Sequence, residues 1–181
     1  LGARLAPGQA KVAKLGDLSI DGVPASRLEI QPEPGAVVHA LVFRPASGVR
    51  AKDRVYVLLD PRGVRATAGS KERKVLTESG SWVVCADLRG MGSTYATQAA
   101  YVGICDQPLC VGAMKLGETV AGWWTDDLLA VVHAARSIAG AKVEVIVRGR
   151  RETALVAVLA AGLGQGIDAV ETEGLLASYR S

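Results

Sequence analysis

Residues 143–161 read VEVIVRGRRETALVAVLAA, and the fold turns on how this stretch is parsed. Its first part is apolar and β-branched, with neither Gly nor Pro before Gly149, and reads as a strand over 141–147. A charged run follows, Arg150-Arg151-Glu152. From Ala154 to Leu163 every residue is apolar or Gly. That run is about half of the ~20 residues a membrane span needs and too long for a typical strand. It is therefore a helix, over 152–164, and one that is apolar nearly all round is expected to be deeply buried. Strand, sharp turn and helix follow each other with Gly149 as the only flexible residue at the junction. This is the repeating unit of a parallel α/β sheet.

Working outward, the same unit recurs. RVYVLLD (54–60) and SWVVCADL (81–88) are compact apolar runs, and IDAVETEGLL (167–176) contains a further one. Runs of this kind suit strands covered on both faces. Helical segments separate them. SKERKVLTES (70–79) opens on Ser70, an N-cap residue, and DDLLAVVHAARSIAG (126–140) keeps a 3.6-residue apolar period and stops at Gly140. Asp126 and Asp127, with Thr125 as cap, are assigned to that helix's N-terminus. Earlier in the chain the pattern is different. SRLEIQ (26–31) and AVVHALVFR (36–44), joined by QPEPGA, predict an antiparallel hairpin, and QAKVAKLG (9–16) a further edge strand. The fold class is α/β: a doubly wound, mostly parallel sheet with helices on both faces and an antiparallel N-terminal hairpin. The whole chain, 1–181, is expected to be one domain.

Bulk properties narrow the function classes. The chain has 181 residues, 49% hydrophobic but only 4% aromatic, so Val, Leu and Ala must fill the core. Twenty-one basic residues against 18 acidic leave a formal charge of +3. That balance, with no basic stripe interleaved with aromatics, points away from nucleic acid, and no run is long enough for a membrane. The chain opens at Leu1 with no charged stretch before an apolar one, so no leader is expected within it. Cys85 lies in a strand and reads as a buried free thiol. Cys105 and Cys110 sit in GICDQPLC, either as a small disulfide loop or as two free thiols. A disulfide there would suit a secreted or periplasmic setting. Neither a metal site nor a cofactor is expected: the Cys and His spacings make no ligand set, and DLRGMGSTY has Tyr95 where a dinucleotide fingerprint needs its last Gly.

Four segments carry a family resemblance. SRLEIQPEPGAVVHALVFRP, VYVLLDPRG, VVCADLRGMGST and GWWTDDLLAVVHAARSI together resemble the α/β-hydrolase fold, and within it the acetyl-xylan-esterase-like branch. The resemblance runs over residues 20–181, and DLRGMGST is its most specific element. It implies an esterase-type domain, with the loop after VYVLLD supplying oxyanion contacts and the 149–153 junction carrying the nucleophile. Two departures stand out. The chain has no Gly-x-Ser-x-Gly; Gly149 takes the place of the first Gly, Arg151 of the nucleophile and Thr153 of the last Gly. The family's later acid and histidine have no counterpart, so no triad residue is assigned here, and the resemblance implies that 1–181 is the N-terminal part of a larger domain whose sheet is unfinished at the C-terminal edge.

The candidate site residues follow. Arg62, Gly63, Arg89, Arg151 and Glu152 lie at strand ends or at a helix start. They compose a candidate ligand pocket lined by arginine, suited to an anionic sugar such as a uronate. The bland alternative is that Arg151 pairs with Glu152, Asp87 or a later carboxylate. Asp87 and Arg89 are expected to pair with each other. Ser93, in the glycine turn, is the alternative nucleophile. His39, placed far from the strands' carboxyl ends, and His133, mid-helix, are read as structural. Of Trp123 and Trp124, one is expected in the core and the other is a candidate sugar platform. Three functions result: an esterase-type domain without its triad; a binding or assembly module using the arginines or the open sheet edge; and an ester hydrolase with an unusual nucleophile or residues from another chain. The corresponding partners are a small ester or anionic sugar, and a second copy or completing chain at the open edge.

Overall fold

The structure, a computed structural model, describes residues 10–94, 112–164 and 166–175. Seven strands form one open sheet: β1 (Lys11–Ile20), β2 (Val23–Gln31), β3 (Val38–Phe43), β4 (Arg54–Leu59), β5 (Trp82–Asp87), β6 (Glu144–Arg150) and β7 (Ala169–Glu173). Their order is β1-β2-β3-β5-β4-β6-β7. The first three strands and the β3–β5 contact are antiparallel, whereas β5, β4, β6 and β7 are parallel. The expected fold class is the observed one.

Local chemistry explains the main elements. Asp21-Gly22 closes the first hairpin with both residues at positive φ, 52° and 77°, as a two-residue turn with the right twist requires. Helix α1 (Val64–Ala68) and helix α2 (Lys71–Glu78) follow β4, and Ser70 caps α2 by accepting from Arg73 N. Helix α3 is Val120–Ala139 and helix α4 is Glu152–Gly162. Two cores result. Val55, Val57, Leu59, Val145 and Val147 meet α3 and α4 on one face, while Phe43, Tyr56, Leu58 and Ile146 meet α1 and α2 on the other. Alternate residues of β4 thus enter opposite cores, which is why its whole run is apolar.

Three expectations need correction. Helix α3 begins at Val120, capped by Thr119, not at Asp126. Asp126 and Asp127 are buried within it, at 6% and 0% exposure. Strand β6 runs on to Arg150 instead of stopping at Val147, because Arg148 and Arg150 pair with Glu171 and Glu173 of β7. Helix α4 is not buried all round. Val156, Ala157 and Ala160 pack inward, but Leu155 and Val158 are 38% and 43% exposed, since no described element lies over them. Cys85 is a buried free thiol, its pKa pushed up to about 12 by burial; Cys105 and Cys110 fall outside the described residues. Among the described residues no helix is long and apolar enough to cross a membrane.

Candidate functional site

The junction between β6 and α4 is a strained elbow. Arg151 has φ 52° and ψ −121°, and only Asp21 among the other described non-glycine residues has positive φ. Gly149 lets the helix return against its own strand: a Cβ there would lie 2.5 Å from Thr153 O and 2.8 Å from Ala154 Cα. Thr153 is 1% exposed. Its Oγ1 accepts from Arg150 N at 2.9 Å and sits 2.7 Å from Arg150 O and 3.1 Å from Leu59 O. Arg151 N donates to Glu173 O at 2.8 Å. The backbone is therefore held from both sides, which is how a conformation costing about 1–3 kcal/mol persists. The Arg151 side chain is exposed and makes no hydrogen bond or ion pair with a described residue.

The other candidate arginines are committed elsewhere. Arg62 grips Asp60 with two side-chain bonds of 2.9 and 2.8 Å, and this pairing holds the Asp60 carboxyl below its ordinary value. Arg89 does not pair with Asp87. It binds the fully buried Asp127 (2.6 Å from Nη2) and Glu33 (2.7 Å), and lies 5.3 Å over the Trp123 ring. Trp124 packs against the core and donates from Nε1 to Arg89 O at 2.7 Å. Burial pushes Asp127 up, while Arg89 opposes that shift. Gly63 is needed because a Cβ would overlap Asp87 and Gly92 Cα. Glu152 is exposed in the first turn of α4. Arg62, Arg89 and Arg151 follow β4, β5 and β6, which are neighbours in the sheet, so the candidate residues share one rim.

The loop after β4 has turned its donors inward. Arg62 N donates to Asp60 Oδ1 (2.9 Å), Gly63 N to Asp60 O (2.8 Å) and Val64 N to Asp87 Oδ1 (2.5 Å). None of these three amides is left for an oxyanion.

His39 is not far from the carboxyl ends. Strand β3 runs against β5, which places His39 opposite Asp87. Its Nδ1 is 3.3 Å from Ser93 Oγ, and that hydroxyl donates to Asp87 Oδ2 at 2.5 Å. Asp87 is 2% exposed and also accepts from Val64 N and Ser93 N. The order is His–Ser–Asp, with serine between the other two. Sequence reasoning missed this grouping, along with Asp60, Asp127 and Glu33 as partners of the arginines. The predicted hairpin gave no signal for His39, because it pairs β3 with β2, and the position of His39 depends on β3 running against β5. Among the described residues no His, Cys, Asp and Glu cluster could hold a metal.

No family model matches the sequence, and no curated protein matches it significantly. Solved structures do. The acetyl xylan esterase of Paenibacillus sp. R4 superposes with TM-score 0.64 at 17% identity, over 91% of this chain and 53% of its own. Acetyl xylan esterase 1 of Thermoanaerobacterium sp. JW/SL YS485 gives 0.63 at 15%, over 92% and 52%. A cold-adapted esterase from an Arctic intertidal metagenomic library gives 0.65 at 14%, over 88% and 64%. The chain thus spans between half and two thirds of the length of these proteins. At such identities the likeness speaks for the fold. Strand order, elbow and superposition agree: this chain has the α/β-hydrolase fold.

Proposed function

We propose that the chain is an esterase-type α/β-hydrolase domain whose elbow binds an anionic ligand instead of attacking an ester. The observation that carries this reading is Arg151: a non-glycine residue on the strained elbow backbone, with an exposed guanidinium that has no partner among the described residues. A guanidinium stays protonated and cannot be a nucleophile, but its planar fork matches a carboxylate. The N-terminus of α4 beneath it favours the same charge. The inward-turned amides after β4 argue in the same direction, since acyl transfer would need donors aimed outward. A sugar acid such as a uronate is the ligand class. Calorimetric titration with glucuronate, and with glucose as the neutral control, tests this. Saturable binding of the acid alone, lost in Arg151→Ala, is the expected result; equal response to both sugars would overturn it.

A second reading is ester hydrolysis through Ser93, favoured by the contact of its Oγ with buried Asp87 and with His39. The hydroxyl proton already points at Asp87, so His39 Nδ1 faces an oxygen lone pair and is set to donate. Turnover of p-nitrophenyl acetate abolished by Ser93→Ala would favour this reading over the first.

A further inference from the structure

A cavity of about 330 Å³ opens on the antiparallel part of the sheet. Asp17, Ser26 and Val42, side by side across β1, β2 and β3, belong to its lining, with Lys14 and Arg44 beside them. Strand β3 runs against β5, so this is the end of the sheet where β5 starts at Trp82, not the rim where it reaches Asp87. The charges in the cavity do not balance. Lys14 Nζ donates to Asp17 Oδ2 and Ser26 Oγ to Asp17 Oδ1, each at 2.7 Å. These bonds hold the Asp17 carboxyl below its ordinary value, and the Arg44 charge adds to this without bonding. Arg44 is therefore the cation left over. It is exposed and makes no hydrogen bond or ion pair with a described residue. Its Cζ lies 5.9 Å over the ring of Trp82, which packs against the core and so gives a fixed support. A guanidinium resting on an aromatic face keeps its N–H groups for a partner. The rest of the lining includes Val42 and Ala25, both 3% exposed.

We propose that this cavity binds a small monocarboxylic acid with an apolar body. The carboxylate takes the guanidinium fork of Arg44 in bidentate geometry, and the body covers the apolar lining. One surplus cation suits a single negative charge, and Asp17 repels a second. The volume stands near the lower end of the ~300–1,000 Å³ of small-molecule sites, which suits a benzoate-sized acid. A sugar acid, hydroxylated all round, has no apolar face to lay on Val42. Arg44 and Arg151 lie at opposite ends of the strands, so the inference is independent of what the elbow binds.

The probes are para-fluorobenzoate and para-fluorobenzyl alcohol, alike in size and different in charge. Binding to the full chain is read by fluorine NMR and the contact by amide shifts. The acid should saturate and bind about tenfold more tightly than the alcohol, as expected for a hydrogen-bonded charge pair. It should shift the amides of residues 25–26 and 42–44. Arg44→Gln should remove the difference between the probes. Asp17→Asn, which takes away the repelling charge and frees Lys14, should tighten the acid and leave the alcohol as it was. Arg151→Ala should leave both unchanged, whatever it does to glucuronate binding. Equal binding of acid and alcohol, or acid binding that survives Arg44→Gln or is lost in Arg151→Ala, would overturn the proposal. Should Arg44→Gln fail to fold, Asp17→Asn decides: acid binding that is weakened or unchanged there overturns it.

Discussion

At the turn between β6 and α4, one missing side chain and one oversized one have opposite energetic meanings. Gly149 is a packing requirement: a methyl group there meets the backbone of Thr153 and Ala154, which cannot move without moving α4. Gly149→Ala should cost about 3 kcal/mol through overpacking, seen as a fall in urea midpoint at unchanged slope. A loss below about 0.5 kcal/mol would mean that α4 can shift away from β6 at little cost. Arg151 is the reverse case. Its backbone sits where glycine is at ease and arginine is not, so Arg151→Gly should gain about 1 kcal/mol by relieving strain. The same substitution should abolish glucuronate binding. Stability bought at the expense of binding is the signature of a residue kept for function. If Arg151→Gly is destabilising, the side chain has a structural partner and the binding proposal fails with it.

Among the elements, the loop from β4 to α1 shows how charge and backbone are tied together. The Arg62 guanidinium holds Asp60 below the ordinary carboxylate value, so in the acid range the unfolded chain binds more protons than the folded one. Stability from this pair is present above about pH 4 and is lost as pH falls toward the lowered value. Arg62→Ala removes the main cause but keeps the backbone donor. The variant should be less stable than the wild type at neutral pH, and the gap should narrow by about pH 3; a gap constant with pH would exclude the ionic origin. Asp60 and Arg62 are only two residues apart, yet the pair went unread, because neither residue's type names its partner. Strands β4 and β5 were legible: double burial forces a continuous apolar run, whatever the partner. Helix α4 was legible as a helix, but its burial was not, because coverage belongs to neighbours. The start of α3 was misplaced for the same cause. Asp126 and Asp127 look like N-terminal acids until Arg89, 38 residues away in sequence, arrives to hold Asp127 inside the core. His39 was misplaced because the pairing of β3 with β5 is not written in either strand. The elbow was found by periodicity, yet the lack of partners for Arg151 among the described residues became visible only in three dimensions.

Across the whole molecule, order runs from a rigid centre to a loosely held margin. Strands β3, β5, β4 and β6 are covered on both faces, whereas residues 11–19 of β1 are exposed on both. The β1–β2 hairpin is anchored at its turn. Asp21 lies 3.3 Å from both Arg73 and Lys74 of α2. Arg73 is fully buried, donates to Ala68 O at 2.8 Å and lies 4.8 Å over the Phe43 ring. Its Nη1 finds no hydrogen-bond partner among the described residues. A buried, imperfectly satisfied guanidinium contributes little net stability, and an apolar residue of similar volume often replaces it at no loss. Its tie to Asp21 is a separate matter, because that ion pair fastens the turn to α2, beside the packing of Ile20 and Val23 on the core. Arg73→Met should therefore leave the global unfolding free energy within about 1 kcal/mol of wild type. It should speed amide exchange in β1 and at the Asp21-Gly22 turn, while β4, β5 and β6 keep their protection. Native-state hydrogen exchange with peptide resolution reads both at once, since local opening and global unfolding separate by their free energies. Unchanged β1 exchange together with a loss of several kcal/mol would show that Arg73 serves the core rather than the hairpin. The hairpin would then be held by its backbone ladder to β2 and β3.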